Sequence, residues 1–65
     1  MGQYDIVRLL KKSRELNARD IREKLELGDS AVVNSLLRLE RFGFLKKRVM
    51  DDVYMYSLTE KGENL

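Results

Sequence analysis

The stretch from Gly28 to Gly43 constrains the fold more than any other, because it carries a boundary signal at each end and two unlike faces between them. At 100° per residue, Val32, Leu36 and Leu39 fall within one narrow stripe, with Ala31 and Phe42 on one flank and Val33 on the other. A stripe of this kind has to be buried against other elements. The opposite side collects Ser30, Asn34, Leu37, Arg38 and Arg41, a surface of hydrogen-bonding groups, two guanidiniums and one aliphatic side chain. Either Gly28 or Asp29 can cap the start, since both tolerate the extended backbone required there and a carboxylate can accept from the first free N–H groups. Gly43 fits the left-handed position after the last turn, where a Cβ is penalised.

The rest of the chain supplies partners for that stripe. Gln3 to Ser13 reads as a first helix, with Ile6, Val7, Leu9 and Leu10 on a broad apolar face and Lys11 and Lys12 in the last turn, where cations suit the helix dipole. Leu16 anchors a brief extended segment. Asn17 then caps a second helix reaching about Leu25, with Asp20 at the third position of a capping-box variant and Ala18, Ile21 and Leu25 turned inward. Glu26-Leu27-Gly28 is too short a turn to lay two helices side by side, so they cross steeply as a helix-turn-helix. After Gly43 the period becomes two. Residues 44–49 read as a strand, Met50-Asp51-Asp52 as its turn, and Val53 to Leu58 as the returning strand with Tyr54, Tyr56 and Leu58 on one face. Tyrosines so spaced serve as core cover more readily than as base-stacking platforms. Thr59 caps a last stub from Glu60 to about Asn64, which Gly62 is expected to interrupt.

Sixty-five residues make one small domain, read here as spanning 1–65 in full. Apolar runs stay far below the roughly 20 residues that cross a bilayer, and Met1 to Asp5 lacks a leader pattern, so a cytoplasmic protein is expected. The chain has neither Cys nor His, which excludes disulfides, thiolate metal sites and imidazole bases. No constellation of acid, base and nucleophile is visible, and no enzyme, cofactor or metal is expected. Asp51-Asp52 is a turn signal, since two neighbouring carboxylates do not supply the six or more oxygens of a calcium site. Thirteen basic residues against eleven acidic ones give a net charge of +2, so the distribution of charge matters more than its total. Arg38, Arg41, Lys46, Lys47 and Arg48 follow one another from the third helix into the first strand and are expected to form a single basic ridge, the alternative being a solvated charged face that Glu40, Asp51 and Asp52 partly neutralise.

Residues 36–45, Leu-Leu-Arg-Leu-Glu-Arg-Phe-Gly-Phe-Leu, resemble the "LxRLExxGLI" phrase of MarR-type and related archaeal and bacterial regulators. Residues 56–62, Tyr-Ser-Leu-Thr-Glu-Lys-Gly, resemble their "YxLTxKG" phrase, and Ile21 to Leu25 resembles "IAEKL". The resemblance covers nearly the whole chain and implies an α+β, mainly α, winged helix-turn-helix, a three-helix bundle with a two- or three-stranded antiparallel wing. It further implies double-stranded DNA as partner, nucleoid association when bound, the helix at about 29–42 in the major groove, and the 44–58 hairpin along the backbone or the adjacent minor groove. The DNA-facing positions then fall on Ser30, Ala31, Val33, Asn34, Leu37 and Arg38. Asn34 can pair with adenine, Arg38 with guanine or phosphate, and Ala31 and Val33 can only touch apolar groups such as a thymine methyl. Ser30, Arg41, Lys46, Lys47 and Arg48 would hold the backbone. Family members often continue into a long dimer-forming helix. Without it, a homodimer would use the first helix or the side bearing Tyr4 and Val7. The Asp51-Asp52 tip would repel phosphates. The alternative is a protein-interaction module using Val33 and Leu37, and the choice turns on whether Leu37 packs under the wing or lies open.

Overall fold

The computed structural model of the chain describes residues 3–65; Met1 and Gly2, on which the reading of no leader partly rests, lie outside the described residues. The elements run α1 (Gln3–Ser13), β1 (Glu15–Asn17), α2 (Ala18–Leu25), α3 (Asp29–Arg41), β2 (Leu45–Met50), β3 (Val53–Leu58) and α4 (Glu60–Glu63). The α+β, mainly α, winged helix-turn-helix implied above is the observed architecture.

Ile6, Val7 and Leu10 form one i, i+1, i+4 stripe on α1, and all three are buried. The surface expected to pair two copies through Tyr4 and Val7 is therefore corrected: Tyr4 is exposed, but Val7 belongs to the core. Arg14, at φ +64°, turns the chain out of α1 into β1. The short extended segment read around Leu16 is the third strand of the wing. It pairs antiparallel with β3, Leu16 opposite Tyr56, so the sheet order is β1-β3-β2. At the start of α2 the Asn17 carboxamide accepts from the Asp20 N–H at 2.7 Å, as the capping pattern predicts.

Gly28 is the N-cap of α3. The Asp29 carboxylate instead accepts a hydrogen bond from Arg22 of α2, which ties the two helices of the motif together. Val32, Leu36 and Leu39 are buried against Ile6, Val7, Leu10 and Ile21, with Leu45 and Leu58 closing the cluster from the sheet. Ala31 and Phe42 do not join the stripe. Both are exposed, and Phe42, at the C-cap beyond the last full turn, instead meets the Phe44 ring at a 6.4 Å centroid separation.

The wing is a tight hairpin. Met50 pairs with Val53, leaving only Asp51 and Asp52 as the loop, at φ +51° and +64°. Two successive left-handed residues make the primed turn whose twist matches the strands, and Asp tolerates that conformation better than most side chains. Met50 thus lies in the strand. Gly62 does not interrupt α4: it is buried, and an added Cβ would stand 2.1 Å from the Phe44 carbonyl oxygen.

Candidate nucleic-acid interface

The outer face of α3 is held from both ends. At its C-terminus the Gly43 N–H reaches the Glu40 carbonyl at 3.0 Å and the Phe44 N–H reaches the Leu39 carbonyl at 2.9 Å, with Gly43 at φ +82°. This is a Schellman closure, and it satisfies carbonyls that helix ends otherwise leave free. The segment after β3 fastens the same corner. Thr59 Oγ1 donates to the Gly43 carbonyl at 2.6 Å while accepting from the Gly62 N–H, and Lys61 Nζ donates to the Phe42 carbonyl at 3.0 Å. The residues of the "YxLTxKG" phrase therefore act on the geometry of α3: Leu58 enters the core, Thr59 and Lys61 bind the Gly43 and Phe42 carbonyls just beyond its C-terminus, and Gly62 lets the chain pass the Phe44 carbonyl.

Asn34, Leu37, Arg38 and Arg41 line one shallow depression on the outer face, and Ser30 and Ala31 are exposed beyond its N-terminal end. Leu37 is 56% exposed and Val33 48%. Leu37 thus does not pack under the wing. Leu36 and Leu39 occupy the inward positions, and the 100° step from Leu36 carries Leu37 out to the side of Asn34 and Arg38. Val33 and Leu37 stand four residues apart and so adjoin on the helix surface.

The expected basic ridge divides. Strand alternation puts Lys46 and Arg48 on one face of β2 and Lys47 on the other. Arg48 makes a two-pronged contact with the Glu15 carboxylate of β1, at 2.7 and 2.8 Å. The hydrogen bond from Arg48 holds the Glu15 carboxyl below its ordinary range, and the same bond raises Arg48. Lys47 lies 3.6 Å from Glu40 of α3 and over the Tyr54 ring. Lys46 faces a cleft with Lys11, Arg14 and Glu63 on the far side of the sheet from Lys47. Among the described residues Arg38, Arg41 and Lys46 make no ion pair. Glu40, expected to neutralise part of the ridge, does meet Lys47, whereas Glu15, the partner of Arg48, is not singled out in the sequence. The period-two rule applied to residues 46–48 separates Lys47 from its neighbours, but the pairing of β1 with β3 that delivers Glu15 has no short-range signal.

Among the described residues no group of three potential metal-ligating side chains comes together, and no helix is long and apolar enough to cross a membrane.

A helix-turn-helix whose second helix presents an open polar face beside a β-hairpin is the architecture of a winged helix. The chain belongs to the winged helix DNA-binding domain family, whose sequence pattern matches residues 3–62. Among solved structures it is similar to ZitR of Lactococcus lactis, in a C30AH42A mutant apo form, with 29% identity and a TM-score of 0.88 over 95% of this chain and 48% of that one. It is also similar to the transcriptional regulator HlyU of Vibrio vulnificus, with 27% identity and a TM-score of 0.85 over 95% of this chain and 65% of that one. The transcriptional regulator YodB of B. subtilis shares the fold at 22% identity and a TM-score of 0.87, over 97% of this chain and 65% of that one. The chain spans about half the length of ZitR. No match is found among curated proteins.

Proposed function

We propose that this chain binds double-stranded DNA sequence-specifically as part of a transcriptional regulator, with α3 in the major groove and the β2–β3 wing along the backbone. The observation that carries the reading is the outer face of α3, where Asn34, Arg38 and Arg41 converge on one depression and neither guanidinium makes an ion pair among the described residues. Charge left uncompensated beside a carboxamide suits a polyanion with readable base edges. The likeness to HlyU, a transcriptional regulator, supports the regulatory half of the reading.

Asn34 and Arg38 are the base readers in this proposal, with Ala31 and Val33 offering apolar contact alone. Ser30, Arg41 and Lys46 hold the backbone. Lys47 joins them by exchanging its single 3.6 Å contact with Glu40 for phosphate, and Arg48 joins only by giving up its two-pronged contact with Glu15. A two-fold site would require two copies, and Val7 being buried leaves Tyr4 and the rest of the exposed face of α1 to form that contact. Arg38→Ala is expected to weaken binding and relax preference at one base pair, at about 1–3 kcal/mol, while Arg41→Ala weakens all sequences alike and lowers the salt slope by about one. Binding to a panel of single-base-pair variants distinguishes the two; identical losses on every sequence would remove Arg38 as a reader.

A second reading has its own observation. The open pair Val33 and Leu37 is the surface a winged-helix protein-interaction module would use, and its partner would be an apolar protein face. The adjoining guanidiniums of Arg38 and Arg41, without an ion pair among the described residues, favour DNA.

A further inference from the structure

The outer face of α3 carries two unlike strips. One is polar, formed by Asn34, Arg38 and Arg41; the other is aliphatic, formed by Val33 and Leu37. A helix that met only phosphates would gain nothing from two branched apolar side chains beside its polar residues, and exposing them to water is unfavourable. Leu37 lines the same depression as Asn34, Arg38 and Arg41. Anything entering it therefore meets a carboxamide, two guanidiniums and an isobutyl group at once.

An A·T pair in the major groove offers the complement. Adenine presents N7 and the N6 amino group to a carboxamide, and the thymine on the opposite strand presents its 5-methyl. A G·C pair has no methyl. Its cytosine amino group or guanine O6 beneath Leu37 would lose water and gain no partner, which costs affinity. Charge favours the same occupant, because Arg38 and Arg41 adjoin the aliphatic strip on its polar side and call for an anion that an apolar protein face does not supply.

We propose that Val33 and Leu37 are specificity-determining residues that read thymine 5-methyl groups beside an adenine held by Asn34, so that the preferred duplex carries adjacent A·T pairs beneath the centre of α3. The inference rests on the DNA-binding reading above and adds to it which base pairs are chosen.

The test uses the full chain and a pool of randomised duplexes, from which the tightest-binding sequence is enriched and resynthesised with deoxyuridine in place of thymine at single positions. Deoxyuridine removes only the methyl. At a contacted position the loss expected is about fourfold in affinity, the fold-change that corresponds to ~0.8 kcal/mol per buried methyl-sized group. The double variant Val33→Ala, Leu37→Ala should bind the thymine and deoxyuridine duplexes alike at every position while keeping a cooperative melt, since both side chains are exposed. Equal binding of both duplexes by the wild type overturns the inference and leaves DNA binding standing, as does a double variant that keeps the difference. Absence of binding to the whole pool at low salt overturns the DNA-binding reading itself.

Discussion

At the scale of single residues, two glycines near one corner have different reasons to be there. Gly43 is needed for its backbone angle, and nothing closer than the flexible Lys61 stem, at 3.9 Å, would meet its Cβ. Gly62 is needed for space, because the Phe44 carbonyl oxygen occupies the position of its Cβ. Gly62→Ala is therefore expected to destabilise by about 3 kcal/mol, the upper end of overpacking, and Gly43→Ala by about 1–2 kcal/mol from left-handed strain alone, both read by urea unfolding. The sequence makes Gly43 legible because a helix terminus is a local signal. It misassigns Gly62 because a contact with a residue on the other side of the wing is not. Glu15 gives a pH prediction. Its carboxyl titrates below the ordinary 4.5 in the folded chain, so its contribution is present in full above that value and is lost as pH falls through the lowered range. Thermal melts should show the wild type losing more stability than Glu15→Gln as pH drops from about 5 to 3, a window set by ordinary carboxylate titration.

Among the elements, α3 was the most legible, since its core stripe, its C-terminal glycine and its polar outer face all follow from helical periodicity and capping. The wing was legible as a hairpin but not as a charge distribution. A run of Lys46, Lys47 and Arg48 reads as one basic block, yet a strand sends neighbours to opposite faces, and carboxylates of α3 and β1 then claim two of the three. Whether Leu37 was covered depended on where the wing lies relative to α3, which neither element's own periodicity fixes. The wing tip yields a prediction at this scale. Asp51 and Asp52 both occupy left-handed angles, and the second of them suits glycine better than any other residue. Asp52→Gly is expected to raise stability by up to about 1 kcal/mol by thermal unfolding and, by removing one of the two tip charges, to tighten duplex binding at low salt.

For the molecule as a whole, function rests on where the charge lies, because the net charge of +2 is too small to drive association by itself. Arg38 and Arg41 on α3 make no ion pair among the described residues, the charge of Lys46 on the wing acts on Glu15 without a direct ion pair, and Lys47 and Arg48 sit against carboxylates that a phosphate must displace. The most direct measurement is binding of the chain to a duplex across a series of salt concentrations. A log–log slope between about −2, if only Arg41 and Lys46 meet phosphates, and about −4, if Lys47 and Arg48 are released to join them, is the expected result. Binding that does not change with salt, or no binding at low salt, would contradict a DNA-binding α3 and turn attention to Val33 and Leu37 as a protein contact.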